Sequence, residues 1–227
     1  MRSALRELRD TCLAGMRANL LPGAALLIVG LVAVFAYFHL ESVRPVFEKV
    51  AALKARWGFF YSALATALFA GLIPLIYLIA SRALARSEWV STAMFYLIFW
   101  STRGIEVDAF YRLQGWLFGQ ENDVRTIATK VLVDQFIYCP FWAAPFTALC
   151  YSFRECSYSP RRLIAEVKSR SFLFRVASLL TSTWIVWIPA TALIYSLPGP
   201  LQIPLFNLVL CFFVLIVAVL TDRKKPQ

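Results

Sequence analysis

The chain has 227 residues, of which 60% are hydrophobic and 16% charged, with a formal net charge of +10. Soluble domains run at about 45–50% apolar and about 25% charged, so a water-soluble fold cannot hide this much apolar surface, and a bilayer is the expected solvent. The basic residues lie scattered between apolar blocks. That pattern fits membrane topology and anionic headgroups and excludes the basic stripe with interleaved exposed aromatics of a nucleic-acid binder.

The first twenty residues, "MRSALRELRDTCLAGMRANL", carry four arginines. The apolar run behind them, Leu20 to Leu40, is longer than a signal-peptide core and has no clean cleavage site. An amphipathic interfacial segment leading into a retained first membrane helix is expected. A spanning helix needs about 20 mostly apolar residues. By that measure 20–40, 58–80, 131–153, 172–196 and 201–221 qualify. The run 89–100 is short and spans only if the polar residues after it continue the helix. The expected fold class is all-α: a polytopic membrane helical bundle of about six membrane helices, the third short, plus amphipathic helices. Three regions are expected: 1–57 as an amphipathic segment with an additional membrane helix, 58–221 as the main membrane domain, and 222–227 as a basic tail. With both termini inside, the inside segments hold 14 basic residues and the outside segments 8, so that orientation is favoured.

Between 101 and 130 the character changes. Ile105, Ala109, Leu113 and Trp116 lie at helical spacing, with Glu106, Asp108, Arg112 and Gln114 interspersed. An amphipathic helix is expected, closed by a turn at "GQEND". The next apolar block, "KVLVDQFIYCPFWAAPF" (130–146), holds Lys130, an Asp134–Gln135 pair, and two helix-disturbing residues, Pro140 and Pro145. A charge at the bilayer centre costs roughly 2.5–3.5 kcal/mol on insertion scales, so an intramembrane carboxylate is a functional candidate by default. Asp134 is expected about 5 Å inside the helix's apolar start, at 1.5 Å per residue, where a structural ion pair with an arginine is an equal alternative. Asp134 and Gln135 project about 100° apart and are not expected to share a face. The two prolines should kink the helix and free carbonyls that neighbours must satisfy. Further on, "TSTWIVWIP" places Thr183, Trp184 and Trp187 in mid-segment with Pro189 as a third kink, and Asn207 is another amide in an apolar run. Such groups either bond across helices or line a wet path.

No catalytic constellation is present. There is no GxSxG, Walker loop or HExxH, and His39 is the only histidine. One histidine and no CxxC argue against a zinc site, and no metal or other cofactor is expected. The five cysteines are expected as free, inert thiols. An enzyme, including an intramembrane lipid-modifying one, therefore has little material to work with.

"KVLVDQFIYCPFW" resembles the signature helix of the Mpv/PMP family of peroxisomal and mitochondrial inner-membrane proteins, through Lys130, Asp134, Gln135 and Pro140. Upstream, Gly104, Phe110, Tyr111, Leu113, Phe118 and Gly119 resemble a second family stretch. Downstream, Trp184, Trp187 and Pro189 resemble a third, and Pro198 a later proline. The resemblance spans roughly 58–221, with Asp108 in place of the family's histidine, Ile105 of a proline and Thr183 of an asparagine. The 20–40 helix is an addition, so the chain resembles a divergent, bacterial-type member. The resemblance implies an integral membrane protein proposed to pass small solutes. Asp134, Gln135, Lys130, Thr183, Trp184, Trp187 and Asn207 are then candidates for a polar interior. Glu106, Asp108, Tyr111, Arg112 and Gln114 are candidates for its mouth. The alternative is a non-transporting membrane scaffold or assembly factor. Expected partners are the lipid bilayer and small solutes, with no nucleic acid; a homo-oligomer is compatible. The expected location is a bacterial cytoplasmic membrane or, in a eukaryote, the mitochondrial inner or peroxisomal membrane.

Overall fold

A computed structural model of the chain describes residues 2–222, and the basic tail expected at 222–227 lies almost wholly outside the described residues. Among the described residues all regular structure is helical. Helix α1 is Arg2–His39 and α2 is Arg44–Trp57. Helix α3 is Phe59–Ala80 and α4 is Trp89–Phe118. Helix α5 is Val124–Glu155, α6 Pro160–Val167, α7 Arg170–Tyr195 and α8 Gly199–Asp222.

Among the described residues three stretches are long and apolar enough to cross a membrane: Asn19–His39, Phe59–Ala80 and Val124–Glu155. Helix α7 makes a fourth if its two bent halves count as one span. That is fewer than the six apolar runs suggested. In α8, a helix of 24 residues, the apolar stretch followed among the described residues is Gly199–Leu215. The short run 89–100 and the amphipathic segment after it form a single 30-residue helix, because the polar residues that follow continue its hydrogen bonding. Large apolar side chains stay exposed on these helices, among them Leu21, Val32, Phe60 and Phe141, and in α4 the stripe Val90, Met94 and Ile98 at four-residue spacing. Exposure on that scale suits acyl chains and not water.

The prolines do not act as simple kinks. Residues Ala67–Leu72, just before Pro74, and Asp134–Ala143, around Pro140 and before Pro145, are π-helical. A π-turn bonds i to i+5 and widens the helix, so it absorbs a proline without breaking it. The amide of Ala144 accordingly donates to the carbonyl of Cys139, and that of Ile73 to Leu68. In α7 the halves Arg170–Thr181 and Thr183–Tyr195 lie at 42° to each other, with Pro189 inside the second half. The Thr181 hydroxyl donates to the carbonyls of Ala177 and Ser178, and the Thr183 hydroxyl to those of Leu179 and Leu180. Hydroxyls that bond back to the preceding turn pull its carbonyls outward and bend a helix.

The chain divides into two compact units, 1–24 with 131–189, and 25–130 with 190–227. In the first, Gly23 lies against Val186, where a Cβ would come within 3.1 Å of a methyl group. In the second, α3 and α4 approach closely through glycine. A Cβ on Gly104 would collide with the backbone carbonyl of Ser62 and with Thr66, and one on Gly71 would press on Trp100 and Tyr96. Small residues that let membrane helices meet backbone to backbone also bring their polar side chains into register.

Candidate functional site

The packing of α3 on α4 sets the site. Gly58, Ser62 and Thr66 recur every four residues and so share one face around the start of α3. Gly104, Asp108, Tyr111 and Gly115 share the facing side of α4. Gly58 has φ +56°, which a residue with a side chain adopts only under strain, and it turns the chain from α2 into α3. Its carbonyl accepts hydrogen bonds from Lys54 Nζ at 3.3 Å and Ser62 Oγ at 3.3 Å.

Asp108 sits at the centre, almost fully buried. Lys54 Nζ donates to its Oδ2 at 2.7 Å, Ser62 Oγ to the same oxygen at 2.8 Å, and Arg112 Nε to Oδ1 at 3.1 Å. The Lys54 side chain is 4% exposed and the Arg112 side chain 53%. Arg112 also lies over the ring of Phe59, 4.5 Å from its centre. Burial pulls the Lys54 ammonium below its usual pKa, and the Asp108 carboxylate works against that shift. A cleft of about 280 Å³ opens here, lined by Lys54, Asp108, Tyr111, Arg112 and Gln120, and by the first turn of α8 at Gly199–Ile203.

Deeper in the same unit the polar face of α3 continues. Thr66 Oγ1 donates to Asn207 Oδ1 at 2.7 Å, and both residues are buried. Gln114 Nε2 donates to the Tyr195 hydroxyl at 2.6 Å. The Tyr195 ring packs edge-on against Tyr111 at 5.0 Å, and Lys130, also buried, lies 5.8 Å from its centre. Two buried amides of this unit keep one atom each unsatisfied, Gln114 Oε1 and Asn207 Nδ2. Exchanging O and N in either amide moves the orphan without removing it.

Three of the five residues expected at a mouth, Asp108, Tyr111 and Gln114, are instead buried in the bundle. Glu106 is held by Arg103 one turn back, at 2.6 Å. Asp108, Tyr111 and Arg112 all line the cleft, and of the three Arg112 is the exposed one.

In the other unit Asp134 and Gln135 are both buried. The expectation that they diverge fails, because Gln135 Nε2 folds back to donate to Asp134 Oδ1 at 3.0 Å. The π-turn also brings Cys139 beneath Asp134, its thiol donating to Oδ1 at 3.5 Å. In a π-helix the carbonyl of Gln135 would accept from the amide of residue 140, which is proline. Trp184 Nε1 takes that acceptor at 3.0 Å. Trp184 therefore braces the proline site and its ring rests on Phe136 at 5.2 Å. Gln135 Oε1 is a third unsatisfied buried atom. The Thr183 hydroxyl bonds to its own helix, and Trp187 is half-buried.

Four members of the site, Lys54, Ser62, Thr66 and Tyr195, were not anticipated from the sequence. The four-residue spacing of Gly58, Ser62 and Thr66 in an otherwise apolar run was a readable signal. Lys54 was not, because nothing local separates a lysine that turns inward from one that snorkels to the surface. Four of the five cysteines are half-buried and Cys211 is buried, and none of the five is in a disulfide. Among the described residues no group of histidine, cysteine and acidic side chains is arranged to hold a metal ion.

No family model, no curated protein and no solved structure matches the chain.

Proposed function

We propose that the chain is an integral membrane protein of the Mpv/PMP type that passes small polar solutes, along the seam from the Lys54–Asp108 cleft past Ser62 to Thr66 and Asn207. Six membrane passes with both termini inside complete this reading, with α4 and α8 as the two additional spans. The observation that carries it is the orphaned Nδ2 of Asn207 at the inner end of that seam, with a second orphaned amide atom, Gln114 Oε1, in the same unit. A buried polar atom without a partner costs about 1–3 kcal/mol, and a stable fold keeps few of them unless water or a polar solute meets them. From Gly58 to Thr66 the seam covers about 12 Å of helix at 1.5 Å per residue, a good part of the roughly 30 Å hydrocarbon core. The Lys54–Asp108 pair closes its wide end.

The scaffold reading draws on a different observation. Most seam groups bond each other, Lys54 to Asp108 and Thr66 to Asn207, which is how polar side chains join membrane helices. Proteoliposomes separate the two. Release of small polar solutes well above that of empty liposomes supports passage. Release equal to that of empty liposomes, from correctly folded protein, leaves the scaffold.

A further inference from the structure

The cleft holds two cations against one carboxylate. Lys54 and Arg112 both bond Asp108, so the three groups carry one uncompensated positive charge, and one of the cations is buried. Arg112 is half-exposed, so solvent carries part of that excess, and an anion entering the cleft completes the neutralisation beside the buried Lys54. Hydrogen-bond donors remain for one. Lys54 Nζ uses two of its three N–H groups, on Asp108 and the Gly58 carbonyl. Arg112 turns Nε and Nη2 toward Asp108 and leaves Nη1 unengaged. The opposite wall is the first turn of the long helix α8, at Gly199 and Gln202, whose end carries partial positive charge. The Gln120 side chain closes one side, folded over Gly115.

We propose that this cleft is an anion site, for a phosphate or carboxylate group presented by a small solute or by a lipid headgroup. The anion takes the free Lys54 proton and the open edge of the Arg112 guanidinium, which suits a planar two-point interaction. The cleft volume of about 280 Å³ admits a small organic anion and not a macromolecule. Lys54 ends the helix before α3 and Arg112 belongs to the last turns of α4. Both lie outside the apolar spans, where phosphate groups of lipids and dissolved anions are equally near. The inference deepens the permeation reading by naming the class of solute and rests on that reading only for passage. Binding is measured without it.

The test uses the full chain in phosphatidylcholine nanodiscs, with thermal unfolding followed by tryptophan fluorescence at constant ionic strength. Inorganic phosphate and succinate are titrated against sodium chloride. In a second arm, nanodiscs doped with phosphatidic acid replace the dissolved anions. A saturable rise in Tm with phosphate or succinate identifies a dissolved anion, and a rise only with phosphatidic acid identifies a headgroup. In either case Arg112→Gln, a largely exposed change that leaves folding intact, should weaken the response about ten-fold or more. Lys54→Gln is the second variant, expected to weaken it similarly where it folds. No rise in either arm, or an equal rise in Arg112→Gln, overturns the proposal. Binding without solute release from liposomes overturns the permeation reading and leaves the anion site standing.

Discussion

The two buried carboxylates are held in opposite ways. Asp108 is met by charged and hydroxyl groups from three helices, with Lys54 lying 54 residues away in sequence. Asp134 is met, among its partners, by an amide one residue on and a thiol five residues on, both from its own helix. The first arrangement ties the fold together and leaves a cleft beside it. The second dresses a proline-widened turn. A carboxylate in an apolar block therefore does not by itself mark a site. At Asp108 it is the lysine and hydroxyl arriving from other helices that mark the site.

The contrast can be broken by substitution, with stability read from unfolding in detergent micelles. Asp108→Ala leaves the Lys54 ammonium buried without its counter-ion and should cost about 3–5 kcal/mol, while Lys54→Met with Asp108→Leu should recover much of that loss. If the single change is silent, the pair is not buried as described. Gly104→Ala drives a methyl group into the Ser62 carbonyl and should cost about 1–3 kcal/mol, because α3 must move away and the Ser62–Asp108 hydrogen bond breaks. Trp184→Phe keeps the ring but orphans the Gln135 carbonyl, for a cost of about 1–3 kcal/mol. An unchanged midpoint there would show that the carbonyl has another donor. Thr183→Val should stay within about 0.5 kcal/mol, because its hydroxyl serves only its own backbone.

Composition and apolar run lengths made the all-helical, membrane-suited character legible, and the turn at 119–123 followed from its residues. The continuous helix 89–118 was legible only as a condition, since its second half is amphipathic. The π-turns were hidden: a proline announces a disturbed ladder but not whether the helix bends or widens. In α7, Thr181 and Thr183 carry hydroxyls that read as cross-helix glue and instead bond back to their own helix. Asp108 looked like a mouth residue because it lies among charges on an amphipathic helix. Its burial depends on Gly104, which admits α3, and on Lys54 arriving from α2, and neither is a local property.

If the Asp108 seam, and not the Asp134 turn, is the working part of the molecule, the two carboxylates should respond differently to neutralisation. Solute release from proteoliposomes decides this, with Asp108→Asn and Asp134→Asn reconstituted at equal density of folded protein. Asp108→Asn should change the release rate several-fold while Asp134→Asn leaves it at the wild-type value. An altered rate in Asp134→Asn beside an unaltered one in Asp108→Asn would refute the assignment.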